Sequence, residues 1–600
     1  MEPIAVLQND TIVDLQTTSP ENGELILFDN SQQALEVIRH SAAHLLAQAI
    51  KSIYPEAKFF VGPVVKEGFY YDFKVNTPIS ESDLKIIEKE MKRLAKKKIA
   101  IKKYAVSKDE ALQKYADDEL KSAVLSRIDS NEVTFYQQGD FEDLCRGPHV
   151  PNTKYLMNVK LTKVSGAYLG GDDKNEMLTR IYGIAFATKD ALTDYVRMME
   201  EAAKRDHRKI GHEMKLFTFN DDVGPGMPLW LPAGGRLRSR LEQLLSKAHR
   251  RRGYQPVRGP EILRSSLWQT SGHYQNYGEN MYFTTIDELE YGVKPMNCVG
   301  HIKLYEEEPK SYRDLPVKLF EYGVVHRHEM SGALHGLFRV REFTQDDAHI
   351  FCTQDQIRQQ VEEVIEFVDK IMKSFDFNYS MMLSTKPDKA VGDDEVWDVA
   401  TKALKDAMDT NELSYGIDEG GGAFYGPKID IRITDAIGRE WQCGTVQLDF
   451  NLPERFELEY VNESNTKSQP VMIHRAILGS FERFIGILTE HYAGEFPMFI
   501  APTQVVIVPI SEVHHEYAKE LGSKLLDMDI DYEISNKNES LNKRIRTAEK
   551  QRVPMIVVLG DEEVSNKTVA VRNRRTREQY TLSKSEFFAQ ITNEMNKVHF

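Results

Sequence analysis

Residues 343–349 read Phe-Thr-Gln-Asp-Asp-Ala-His. Side chains alternate between the two faces of a β-strand, so a strand here aims Gln345, Asp347 and His349 the same way. An amide, a carboxylate and an imidazole in one row need polar partners. The row is therefore either one wall of a pocket or the solvent face of an edge strand. His-Arg-His-Glu at 326–329 precedes it across a short loop, as in a hairpin. The same hairpin order, rather than strict β-α-β alternation, runs through 210–497, and an antiparallel sheet with packed helices follows.

At 600 residues the chain is too long for one core, and about three or four domains are expected. Residues 1–30 give short strand-like pieces broken by turn residues such as Ser19-Pro20 and Asn22-Gly23, and read as a remnant segment. A helix starts near Ser31, with Leu35, Ile38, Ala42 and Leu46 at helical spacing. Strands and helices mix from 58 to 187. A charged helix from Lys189 to about Lys209 looks like a connector. The large block carries helices over 235–252, 354–374, 395–409 and 474–493. After Ala501-Pro502 strands and helices alternate in a compact α/β domain. The boundaries expected are thus 1–30, 31–188, 189–209, 210–498 and 499–600.

The net charge of −15 excludes a protein whose whole surface grips nucleic acid. A local exception runs from Lys537 to Arg577, with eleven Lys/Arg against five Asp/Glu, which suits phosphate or is a solvated helix face. Four cysteines (Cys145, Cys298, Cys352 and Cys443) are too few for a disulfide framework and fit a reducing cytosol. The acidic N-terminus is no secretory signal, and no apolar run approaches the ~20 residues of a membrane helix.

Two residue sets carry chemistry. Arg327 and Glu329 share a face, Arg339 and Arg341 open the return strand, and Gly479 precedes Arg483 by one helical turn. Converging arginines suit a polyphosphate, and a glycine beside a cation leaves room for a flat ring. No P-loop or dinucleotide-binding glycine motif accompanies them. In the N-terminal block, His40 and His44 lie at i and i+4 on one helix face, and Cys145-Arg-Gly-Pro-His149 adds a thiol and a third imidazole. Read alone, this set is a Cys-His₃ zinc site or three ordinary histidines and a buried cysteine.

The arginine hairpin and the Gly-x-x-x-Arg segment resemble motifs 2 and 3 of class II aminoacyl-tRNA synthetases, and Gly259-Pro260 resembles motif 1. KPMNCVGH at 294–301, SGALHGLFRVREFTQDDAH at 331–349, GGGAFYGPKID at 420–430, WQCGTVQLDF at 441–450 and VMIHRAILGSFERF at 471–484 are similar to the threonyl-tRNA synthetases of the bacterial type. The resemblance covers about residues 31–600. It implies a multidomain α+β chain with an α+β editing domain, a catalytic domain on an antiparallel sheet and a C-terminal α/β anticodon-binding domain. The ubiquitin-like domain that usually begins such chains looks truncated or absent.

It further implies one catalytic zinc per subunit on Cys298, His349 and His474, with His301 the rival ligand, and Mg²⁺ with ATP. Arg327, Arg339 and Arg483 would hold ATP, Glu329 would accept from the adenine amino group, and His273, in a polar loop, would serve transfer to tRNA. Met296, Gln345, Asp347, Tyr425, Lys428, Gln442 and Gln447 would surround the substrates. Gln442 and Gln447 differ in parity, and a bulge at Gly444 would reconcile them. His328 stands where asparagine is common. His40, His44, Cys145 and His149, with Tyr71, Lys121 and Asp143, would remove serine from mischarged tRNA, and the sequence leaves a metal there open. Asn538, Glu563 and Arg572 would read the anticodon. The partners implied are tRNA(Thr), L-threonine, ATP and a second copy of the chain, in the cytoplasm and away from membranes. An inactive RNA-binding relative, or a metal-dependent hydrolase built on the His40/His44 set, is the alternative.

Overall fold

A computed structural model describes the chain apart from residues 16–22, 66, 172–173, 411–413, 536–537, 575 and 599–600. Ser19, Pro20 and Asn22, read as turn residues, and Lys537 and Arg575 of the basic run lie outside the described residues. The chain forms two compact units, Met1–Glu200 and Glu201–Phe600.

In the first unit, Pro3–Gln8 is the central strand of an antiparallel sheet with Thr11–Asp14 and Glu24–Leu27. Ile4, Ala5 and Ile26 enter the same hydrophobic core as Val37, Ala42 and Leu46 of the helix Gln32–Ile53. The described strands of this segment therefore pack with the helix that follows them. Three short strands gain stability by covering that helix. Ser31 caps the helix by accepting from the Ala34 N–H at 3.4 Å. The antiparallel sheet Val159–Tyr168, Met177–Ala185, Gly68–Lys74 and Lys58–Phe59, with Val64–Val65 also on Gly68–Lys74, shares this core. A third sheet joins Ile101–Ser107, Glu132–Gln138 and Phe141–Leu144.

The connector helix spans Lys189–Arg205, short of Lys209. Asp206 ends it, because its carboxylate caps a new helix, His207–Glu213, by accepting from the Arg208 N–H at 2.8 Å.

The second unit is built on eight strands in the order Gln255–Pro256, Val317–His326, Glu342–Cys352, Val471–Ala476, Glu440–Asp449, Lys428–Thr434, Asn378–Ser384 and Tyr415–Asp418. All neighbours are antiparallel except the two edge strands. Helices Pro232–Arg251, Ile357–Ser374, Asp394–Thr410 and Phe481–His491 share its core through Leu241, Phe367, Leu404 and Phe484. The helix expected over 474–493 is two elements. Val471–Ala476 is a central strand with every residue buried, and such a run has no period that distinguishes it from a buried helix. Gly479 then turns the chain at φ +81°, and Ser480 caps the helix Phe481–His491. Gly479 therefore lies outside the helix that carries Arg483. Its role is clearance, since a Cβ there would stand 2.4 Å from the Cys443 carbonyl oxygen.

The C-terminal sheet runs Tyr532–Ile534, Val505–Pro509, Met555–Leu559, Thr568–Asn573 and Gln579–Ser583. Val505, Ile507 and Val557 pack with helices His515–Asp527 and Lys584–Met595, and Val506, Val508 and Ile556 pack toward Leu541–Lys550. Burial on both faces explains the unbroken apolar strands. Among the described residues, no helix is long and apolar enough to cross a membrane.

Candidate active site and editing pocket

Sheet register builds the central site. His349 pairs with His474, His474 with Gln447 and Gln447 with Lys428, so one rung crosses four strands. On the next rung Asp347 faces Ala476. Gln345, Asp347 and His349 all line one cavity of about 320 Å³, as the alternation predicts. Met296, Cys298, Tyr425, Gln447 and His474 line it too. Two polar relays orient its imidazoles. His474 Nε2 lies 2.8 Å from the Asp449 carboxylate, which accepts and leaves the Nδ1 lone pair facing His349 Nε2 at 3.1 Å. His349 Nδ1 meets His301 Nδ1 at 2.8 Å, and His301 Nε2 lies 3.6 Å from Glu321. With His301 accepting from His349 at Nδ1, a second lone pair is left on His349 Nε2. The two facing lone pairs offer nitrogen donors in a cavity that the buried Cys298 also lines. His301 is committed to the relay and does not line the cavity. Burial pushes the Cys298 thiol up and the His349 imidazole well down, so both are neutral without a positive charge.

A second cavity of about 630 Å³ is lined by Arg327, Glu329, Arg339, Lys428, Gln442 and Arg483, among others. The two cavities share Arg327, Gln345, Thr445, Gln447 and Ala476. Arg339 holds the Glu329 carboxylate at 2.9 Å. Arg327 donates to the Pro295 carbonyl at 3.1 Å and lies over the Phe343 ring. Its strand ends at His326, and Arg327 continues the pairing only through its N–H to the Arg341 carbonyl. Arg339 and Arg341 likewise precede the return strand, which starts at Glu342. The register between Lys428–Thr434 and Glu440–Asp449 shifts after Asp430, opposite Cys443 and Gly444, so the bulge that brings Gln442 and Gln447 to one cavity is present. His273 is buried at the start of the helix His273–Tyr277, not in a polar loop. It contacts Ser271 Oγ at 2.7 Å and Met296 Sδ at 3.1 Å, and burial lowers it to about 3.

In the first unit, ligand atoms of His40, His44, Cys145 and His149 lie within 4.8 Å of one another. Cys145 Sγ is 3.1 Å from His40 Nε2 and 3.3 Å from His149 Nε2. Ser41 Oγ contacts His149 Nδ1 at 3.1 Å. Burial lowers His44 to about 3 and raises the Cys145 thiol to about 12, and the four donor atoms stand close enough either to hydrogen-bond one another or to hold a metal ion. The Asp143 carboxylate accepts from the Tyr71 hydroxyl and pairs with the buried Lys121 ammonium.

Of the C-terminal residues, Arg572 pairs with Glu549 at 3.1 Å, and Glu563 accepts from the Gly560 N–H at 2.8 Å as a helix cap. Asn538 is exposed ahead of the helix Leu541–Lys550. Part of the basic run is structural. Arg544 is buried and donates to the Pro509 carbonyl, and Arg574 clamps the Glu495, Phe496 and Arg552 carbonyls.

Three family models match. They are the tRNA synthetase class II core domain (G, H, P, S and T) over 282–492, the anticodon binding domain over 504–594, and the threonyl and alanyl tRNA synthetase second additional domain over 133–182. A threonine–tRNA ligase of Campylobacter jejuni serotype O:6 is 66% identical over 599 residues, covering 100% of both chains. That of Sulfurovum sp. is 67% identical over 587 residues, 98% of this chain and 97% of its own. The chain belongs to the threonine–tRNA ligase family. Two solved structures agree with this fold. One, titled the RNA binding domain of threonyl-tRNA synthetase from Cryptosporidium parvum, is 41% identical with TM-score 0.63, covering 65% of this chain and 98% of that one. The other, a putative threonyl-tRNA synthetase from Aeropyrum pernix, is 30% identical with TM-score 0.55, covering 66% and 97%.

Several residues that organise this threonine–tRNA ligase fold carry no sequence signal of their own. Asn297 donates to Asp347 at 3.0 Å, filling space that Gly323 leaves. Asp430 accepts from Gln442 at 2.7 Å and from Lys428 at 2.8 Å. Asp346, on the opposite face from Asp347, accepts from the N–H groups of Ile477 and Leu478 before the Gly479 turn. Asp14 accepts from the His149 N–H at 2.9 Å. Only Asp449 had a findable clue, because it is the first acid after the Gln447 strand face.

Proposed function

We infer that this chain joins L-threonine to tRNA(Thr) using ATP, through a threonyl-adenylate, and that its N-terminal unit hydrolyses seryl-tRNA(Thr). The observation that carries the reading is the wall common to the two cavities, formed by Arg327, Gln345 and Gln447. An amino acid in the smaller cavity and a nucleotide in the larger one meet there. The amino acid carboxylate bonds to the α-phosphorus, the bond to the bridging β-phosphate oxygen breaks, and pyrophosphate leaves. Arg327 neutralises charge at that wall. Arg339 and Arg483 hold the triphosphate and adenine, Glu329 accepts from the adenine amino group, and Mg²⁺ accompanies ATP. No protein nucleophile is needed, since positioning and charge stabilisation suffice. The tRNA 2′-hydroxyl then attacks the acyl carbon and AMP leaves, with His273 serving this transfer.

Cys298, His349 and His474 would hold a zinc ion. The fit rests on their free donor atoms. The facing nitrogens stand 3.1 Å apart, against about 3.3 Å for two nitrogens of a tetrahedral zinc shell. When bound, zinc supplies positions for the amino and hydroxyl groups of threonine, which valine cannot both fill. Asp347 and Gln345 accept from and orient the same groups, with Met296, Tyr425, Lys428, Gln442 and Gln447 around them. Serine offers both groups and lacks only a methyl, worth roughly 1–3 kcal/mol. His40, His44, Cys145 and His149, with Tyr71, Lys121 and Asp143, remove it after transfer. Asn538, Glu563 and Arg572 contact the anticodon. A cytoplasmic homodimer completes the reading, and four unpaired cysteines suit that compartment.

Threonine-dependent exchange of pyrophosphate into ATP tests the proposal. Zinc-loaded protein that exchanges with threonine and not valine supports it, and no exchange with threonine overturns it.

A further inference from the structure

His207 is fully buried at the start of the helix His207–Glu213 and lines neither substrate cavity. Its Nδ1 lies 2.7 Å from Glu490 Oε1, and the same oxygen accepts the His207 backbone N–H at 3.0 Å. The carboxylate fixes the proton on Nδ1. The other nitrogen, Nε2, is thereby an acceptor, and it takes the Leu337 N–H at 3.0 Å. Glu490 also pairs with Arg439, which is held in turn by Asp435. The Phe338 ring lies 4.0 Å from the imidazole and 4.4 Å from Trp441, centroid to centroid. Gly336 has φ +50°, and a Cβ there would stand 2.2 Å from His207 Nε2. The backbone has thus been brought as close to the imidazole as a residue without a side chain permits.

Leu337 and Phe338 belong to the segment 333–340, which with Arg327 and Arg483 lines the larger cavity. We propose that His207, oriented by Glu490, is a positioning residue that fixes this segment and so sets the enzyme's affinity for ATP. The proposal rests on assigning the larger cavity to ATP. Without His207 the Leu337 N–H loses its acceptor, the Phe338 ring loses the nearest of its three ring partners, and Arg339 follows the backbone.

The test is His207→Phe, which keeps a ring against Phe338 and removes both hydrogen bonds, beside His207→Gln, which restores an acceptor and a donor. Binding of a non-hydrolysable ATP analogue is measured by calorimetry, and KM for ATP and for threonine by pyrophosphate exchange. His207→Phe is expected to weaken the analogue and raise the ATP KM about tenfold or more, as for one buried N–H left unpaired. The threonine KM stays within about twofold, and His207→Gln recovers part of the loss. Unchanged analogue affinity in folded His207→Phe overturns the proposal. If that variant fails to fold, Gly336→Ala, which pushes the segment off the imidazole, must show the same split between ATP and threonine, and equal affinity overturns it. Wild-type protein that does not bind the analogue would sink the nucleotide assignment instead.

Discussion

Asp449→Asn isolates the relay behind the cation site. The Asp449 Oδ1 atom accepts from the N–H groups of Asn451 at 2.8 Å and Leu452 at 3.0 Å, while Oδ2 accepts from His474 Nε2. Asparagine can keep the first pair with its carbonyl oxygen. Its amide then points two donors at His474 Nε2. The imidazole must move its proton to Nδ1, where a donor hydrogen faces His349 across 3.1 Å instead of a lone pair. The change is therefore specific to metal affinity. Loss of such an outer partner weakens binding about 10- to 100-fold, which is roughly 1.4–2.7 kcal/mol. The bonds from the Asn451 and Leu452 N–H groups become neutral rather than charge-assisted, for about 1 kcal/mol of stability. Zinc content after dialysis against graded chelator, read by atomic absorption, should fall at a correspondingly lower chelator strength, while circular dichroism is unchanged. Discrimination of threonine from valine in the exchange assay should narrow in step with zinc loss. Zinc retention equal to wild type would show that Asp449 does not orient a metal ligand, and the zinc assignment of His474 would lose its support.

Gly479→Ala places a methyl against the Cys443 carbonyl in a left-handed backbone. It should lower the stability of the catalytic unit by roughly 2 kcal/mol or more, read as a shifted urea midpoint. His40→Ala with His44→Ala should let seryl-tRNA(Thr) accumulate while threonine activation continues, and unchanged deacylation would remove the editing assignment. Glu482 is raised to about 7, mainly by burial, against the ordinary carboxylate value of 4.5, with Arg238 and the Thr344 N–H opposing. The native state then holds a proton between those values that the unfolded chain has released, so this group's contribution to stability falls as pH rises. Relative to Glu482→Gln, wild type should lose roughly 3 kcal/mol between pH 4.5 and 8. A constant difference across that range would refute the shift.

What the sequence made legible follows period and range. The row Gln345, Asp347 and His349 was readable because strand alternation is a local rule, and all three residues face one cavity. The buried strand at 471–476 was misread as helix because a run apolar on both faces carries no period. The partnership of His349 with His474 spans 125 residues, and only sheet register creates it. Nothing in either segment alone distinguishes a ligand from a packed histidine, and resemblance had to supply the pairing. The relay acids are harder still. Asp430 and Glu490 look like any surface carboxylate, yet each is buried, and much of the cost of that burial is met by donors far away in sequence, Gln442 and His207. The basic run shows the same limit from the other side. Counting charges treated its arginines alike, while the fold commits Arg544 and Arg574 to backbone carbonyls. A guanidinium already satisfied by carbonyls has no fork left for a phosphate. Only the uncommitted members of that run can face RNA, so the phosphate surface is smaller than the composition implies.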